Sequence, residues 1–228
     1  MPKRFVREID KLKKGVLGLS ALVEESVWMS IKALHTVDVS LAEKVFDHDD
    51  EIDQAEVDLE EECLKVLALY QPVATDLRYV VAILKMNNDL ERIGDLAKNI
   101  ADRVRLLSSQ PRIDLPFDYP KMANKVQDML RKCLDALMKM DSELALQVMK
   151  MDQEIDIMHR EVYVLIKDRI RSNTDELDAL IYYLAVSRNL ERIADHTTNI
   201  AEDVVYLLEG YIVRHTDVDG ELDSFDDM

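Results

Sequence analysis

Eight carboxylates stand in four i,i+4 pairs: Asp49/Asp53, Glu91/Asp95, Asp152/Asp156 and Glu191/Asp195. On a helix this spacing puts both acids of a pair on one face, about 6 Å apart, where like charges weaken the helix slightly. One such pair would mean little in a chain with 46 acidic and 29 basic residues and a net charge of −17, since acidic pairs usually form a solvated face. The arrangement of the pairs says more. If the helices carrying the first two pairs form an antiparallel hairpin, Asp49 faces Asp95 and Asp53 faces Glu91, each couple equidistant from Pro72. Asp152 with Asp195 and Asp156 with Glu191 are likewise equidistant from the Asn173–Thr174 junction. With packed helix axes about 8–10 Å apart, four carboxylates converge twice. Converging anions need protons or a cation, and oxygen-rich clusters suit divalent or trivalent metals such as magnesium, manganese or iron. Helical bundles can hold more than one ion between carboxylate-bearing helices. The expectation is two metal sites.

Positioning these acids requires long helices, and the punctuation of the chain allows them. Residues 19–71 and 121–209 contain neither Gly nor Pro, which favours helices over hairpins of strands. Leu90, Ile93, Ala97, Ile100, Val104 and Leu107 form an apolar stripe at alternating spacings of three and four, and Leu190, Ile193, Thr197, Ile200, Val204 and Leu207 repeat it. Turn signals at 36–40, 70–72, 140–142 and 171–175 cut each half into three. The fold class is all-α, with two tandem three-helix bundles. The expected boundaries are 1–110 for the first repeat, 111–117 for a proline-containing linker, 118–213 for the second repeat and 214–228 for an acidic disordered tail.

The halves are copies. Over 90–104 against 190–204 nine positions are identical, including Leu-Glu-Arg-Ile, the following Asp and Asn-Ile-Ala. Upstream, Asp38, Asp49, Glu51-Ile52-Asp53 match Asp141, Asp152, Glu154-Ile155-Asp156 at an offset of 103. Packing alone explains repeated apolar positions, but repeated carboxylates are harder to attribute to it. Glu56 and His159 lie one turn beyond the pairs and are further ligand candidates, a surface histidine being the plainer reading. Asn99, Asn199, Asp102 and Glu202 extend the polar stripes and are candidates for supporting contacts. Arg92 and Arg192 could neutralise the clusters or pair with a neighbouring helix, the latter being preferred.

The overall charge argues against electrostatically driven nucleic-acid binding. Cys63 and Cys133 sit in amphipathic segments without CxxC spacing, as reduced core thiols do. No apolar run is long enough for a membrane span, and the first residues lack the apolar core of a signal peptide, so the expected location is cytoplasmic. Six tail acids and the eight ligand candidates account for much of the imbalance and leave the remaining acids close in number to Lys and Arg.

The repeated Leu-Glu-Arg-Ile-(Gly/Ala)-Asp-x-x-x-Asn-Ile-Ala at 90–101 and 190–201, with the Asp-x-x-x-Asp of each preceding helix, resembles the PhoU family. So does the layout of two three-helix repeats over nearly the whole chain. The resemblance implies a non-enzymatic regulator without catalytic residues. Such a protein restrains phosphate uptake through the phosphate-specific ABC transporter and takes part in signalling to a phosphate-sensing histidine kinase. It implies iron, zinc, manganese or magnesium, in places as multinuclear clusters, held by Asp49, Asp53, Glu91, Asp95, Asp152, Asp156, Glu191 and Asp195. It also makes a homodimer plausible, with membrane association only through partners. Gly94 against Ala194, Leu96 against His196 and Glu56 against His159 break the repetition, so the two sites need not bind metal equally. The basic stretch Lys3, Arg4, Arg7, Lys11, Lys13, Lys14 could face anionic lipid or a transporter subunit, or simply be a solvated helix. A ferritin-like di-metal enzyme is the enzymatic alternative, but it expects two Glu-x-x-His motifs that this chain lacks. A metal-free helical scaffold is the structural alternative.

Overall fold

The computed structural model describes residues 3–213. The acidic tail expected at 214–228 lies outside the described residues. Six long α-helices and one short 3-10 turn carry the chain among these residues: α1 (Lys3–Thr36), α2 (Val39–Tyr70), α3 (Ala74–Leu107), α4 (Tyr119–Lys139), α5 (Ser142–Ser172) and α6 (Leu177–Glu209), the turn spanning Thr174–Glu176 just before α6. No strand occurs among them. The boundaries follow local chemistry. Asp38 and Asp141, equivalent in the two repeats, are N-caps whose side chains accept from the backbone N–H of Leu41 at 3.1 Å and Leu144 at 2.9 Å. Asp118 does the same for α4, where Pro120 sits in the first turn. The α6 C-terminus closes on Gly210 at φ 84°, and the Arg78 guanidinium of α3 fills the space where a Cβ would stand.

Within each repeat the second and third helices form an antiparallel hairpin and the first helix packs alongside. In the first, α1, α2 and α3 all touch one another; in the second, α6 packs on both α4 and α5, which also touch. The two repeats join along α3 and α6, so each of these helices is covered by two partners of its own repeat and by the other. That position explains their apolar stripes. Leu90, Ile93, Ala97, Ile100 and Val104 of α3, and Leu190, Ile193, Thr197, Ile200 and Val204 of α6, are all fully buried. Each large apolar side chain contributes about 1.5–3 kcal/mol by leaving water.

One continuous core runs through both repeats. A smaller cluster, Val162, Ile166 and Leu180, closes the far end of the α5–α6 hairpin, and Ile113, Leu115 and Phe117 pack on it. The segment between α3 and α4 is therefore docked, not a free tether. Cys63 and Cys133 are both free and buried, and burial pushes the Cys63 thiol up to about 12.

The α3–α6 seam is polar at one end. Lys85 of α3 bonds buried Asp203 of α6 at 3.0 Å. One turn along, Asp89 accepts from Asn199 Nδ2 at 3.1 Å and bonds His196 Nδ1 at 2.8 Å. The pseudo-equivalent positions are Ala185, Arg103, Asn189, Asn99 and Leu96, which cannot reproduce this network. The network thus gives the seam a direction.

Replacing Asp38 or Asp141 with Ala should cost about 1 kcal/mol of stability each, read as a lower urea midpoint with an unchanged slope. Unchanged midpoints in both variants would contradict the capping role.

Candidate metal sites

The hairpin geometry brings the acids of each repeat together, but on different terms. In the second repeat, one ligand oxygen each from Asp152, Asp156 and Asp195 lies within 4.8 Å of the others. Oxygens that close can share one ion at coordination distances of about 2.0–2.6 Å. Burial pushes the Asp152 carboxyl up to about 6, with the charges of Asp195, Asp156 and Glu191 adding to the shift. Glu191 and Asp195 are also raised, in each case by burial first and then by neighbouring carboxylates, with Arg192 opposing. Asp152 Oδ1 and Thr198 Oγ1 are buried without a well-formed hydrogen bond, although the Thr198 hydroxyl lies near enough to counter the shift of Asp152. A buried carboxylate oxygen without a well-formed hydrogen bond, beside two further carboxylates, fits a cation.

The first repeat carries the same acids but supplies a cation of its own. Asp49 is 2% exposed and receives an ion-paired hydrogen bond from the Lys98 ammonium. That hydrogen bond raises the Lys98 pKa, and the charges of Asp49, Asp53 and Asp95 add to it. Asp53 and Glu91 are raised by burial and by their acidic neighbours. Arg92 reaches Asp95 at 3.1 Å and Glu91 at 3.4 Å. It serves the acidic cluster on its own helix, correcting the expectation that it would pair with a neighbouring one. Among the described residues the first repeat brings no comparable trio of ligand atoms together.

The flanking positions form a second matched pair of contacts. Glu56 Oε1 accepts from Asn87 Nδ2 at 2.9 Å, and its equivalent His159 bonds Ser187 Oγ through Nδ1 at 2.8 Å. His159 is half-buried, not the surface histidine of the plainer reading. Burial lowers its pKa, Asp156 and Asp195 opposing and Arg188 assisting. Asn199 turns to Asp89 across the seam, so it braces the two repeats instead of a ligand of its own cluster. Asp102 pairs with Arg103 at 3.2 Å. Lys98, Thr198, Asn87 and Ser187 do not stand out by sequence spacing. The Lys98/Thr198 mismatch inside an otherwise repeated motif is the readable signal.

The comparisons with known proteins bear on this double site. The family model described as the PhoU domain matches residues 16–104 and again 119–204. The chain belongs to the PhoU family. Both PhoU matches contain their repeat's four acids. The chain is 34% identical over 207 residues to the "Phosphate-specific transport system accessory protein PhoU homolog 1" of Thermotoga maritima, covering 90% of this chain and 89% of that one. It is 35% identical over 216 residues to the PhoU homolog of Pseudomonas aeruginosa, covering 93% and 88%. The crystal structure of PhoU from Pseudomonas aeruginosa superposes with a TM-score of 0.87 at 34% identity, over 91% of this chain and all of that one. The phosphate transport system regulatory protein PhoU from Streptococcus pneumoniae gives 0.81 at 32%, over 92% and 99%. No described helix is long and apolar enough to cross a membrane.

A raised carboxyl pKa has a definite sign. Stability from Asp152 is fully present below its unfolded pKa of about 3.9 and is lost as pH rises through about 6, because ionising it in the folded state is uphill. Asp152→Asn should therefore stabilise the metal-stripped protein at neutral pH and leave it nearly unchanged at about pH 4. Urea unfolding at both pH values checks this, and equal shifts at the two would contradict it.

Proposed function

We propose that this PhoU protein is a metal-binding accessory protein of the phosphate-specific transport system that restrains phosphate uptake through its ABC transporter. In the same reading it takes part in phosphate-starvation signalling by the sensor histidine kinase. The observation that supports this best is that the family resemblance runs through nearly the whole chain with the acidic motif intact in both repeats. The names of the curated relatives, accessory proteins of that transport system, support the same assignment. The protein acts in the cytoplasm by docking, as a homodimer, and needs no catalytic residue for that role.

Asp49, Asp53, Glu91 and Asp95 would hold metal in the first repeat, and Asp152, Asp156, Glu191 and Asp195 in the second. Iron, zinc, manganese and magnesium are the candidates. A bound metal supplies open coordination positions to which phosphate or a partner's carboxylate or carbonyl oxygen can attach. The chain's own contribution is rigidity. The α2–α3 and α5–α6 hairpins hold the acids at one level, and the common core prevents the clusters from relaxing by splaying the helices apart. Without a cation, burial first and then neighbouring carboxylates keep Asp53 in the first cluster and Glu191 and Asp195 in the second above their ordinary pKa. Partner docking would then respond to the charge state of these surfaces.

Deleting the gene should raise phosphate uptake and switch on phosphate-starvation genes in phosphate-rich medium. Complementation with the Asp152→Asn/Glu191→Gln double variant, expressed to wild-type level, should restore repression only partly. An unchanged phenotype on deletion would overturn the regulatory reading; full complementation by the variant would overturn the link between the second cluster and regulation.

A further inference from the structure

The two clusters are copies in sequence but not in electrostatics, and the difference sits at one position. In α3 the residue three after Asp95 is Lys98; in α6 the residue three after Asp195 is Thr198. Lys98 places its ammonium on buried Asp49, and the acids Asp53 and Asp95 also act on it. The first cluster therefore carries its own cation. At the equivalent place in the second cluster a hydroxyl stands beside Asp152, whose Oδ1 is buried and lacks a well-formed hydrogen bond. A neutral threonine cannot offset four carboxylates.

We propose that the two repeats are unequal metal sites. The second, formed by Asp152, Asp156, Glu191 and Asp195, takes a divalent metal such as zinc first. In the first, Lys98 occupies the cation position and must leave Asp49 before a metal enters. This rests on the metal-binding reading above and deepens it: the chain would hold a half-loaded state over a range of metal concentrations.

The test is calorimetric titration of the metal-stripped full chain with zinc chloride, with bound metal counted by elemental analysis after gel filtration. Two classes of site are expected, a tight one lost in Asp152→Asn and a weak one lost in Asp49→Asn. Lys98→Thr should tighten the weak class by about tenfold or more, while Lys98→Arg should leave it as in the wild type. Thr198→Lys should weaken the tight class by a similar factor. Circular dichroism confirms folding of each variant, and if Thr198→Lys does not fold, the Lys98 pair decides. Two equal classes that Lys98→Thr leaves unchanged would overturn the inference while leaving metal binding intact. No bound metal in any variant would overturn the metal reading and this inference with it.

Discussion

Repulsion among carboxylates held at one level of a helical hairpin is the constraint on which the rest of the structure depends. Each repeat carries four acids on two antiparallel helices, and burial raises the cost of charge on Glu91 in the first and Asp152 in the second. A loose hairpin would relieve this by opening. Here it cannot open without exposing the apolar stripes of α3 and α6, which are buried against the other repeat as well as their own. Hydrophobic burial outweighs the repulsion, so it holds the acids in an arrangement they would not adopt alone.

The common core also explains why duplicated halves need not behave as independent modules. The α3–α6 seam binds them through apolar packing and, at one end, through Lys85–Asp203 and the Asp89–His196–Asn199 network. Asp89 lies two residues before Glu91, and His196 directly follows Asp195. A shift of α6 at the second cluster therefore bears on α3 beside the first. The polar network occurs at one end only, so the pseudo-symmetry of the fold is broken at the interface that joins the clusters.

Much of this was legible in the sequence because it rests on periodicity. Helix number, the α2–α3 and α5–α6 hairpins and the facing of Asp53 with Glu91 or Asp152 with Asp195 follow from residue spacing and turn position, both local properties. What was not legible depends on rotation and reach. Spacing puts Asn199 on a polar stripe, yet the stripe is wide enough to face either α5 or α3, and only the packed seam turns Asn199 to Asp89. Lys98 looks like an ordinary exposed lysine, because its four-carbon stem conceals from the sequence that its ammonium reaches Asp49 on another helix. The segment after Leu107 reads as a proline-rich linker, and its apolar residues Ile113, Leu115 and Phe117 become meaningful only once the second hairpin lies beneath them.

Under the proposed function these converged acids are cation sites and not a solubilising surface. Anomalous diffraction from crystals of the zinc-reconstituted protein, measured at the zinc absorption edge, tests it most directly. A strong peak bounded by Asp152, Asp156, Glu191 and Asp195 is expected, with a weaker peak or none beside Asp49 and Lys98. A map with no peak in either cluster, or with its peaks only at surface histidines elsewhere, would contradict it.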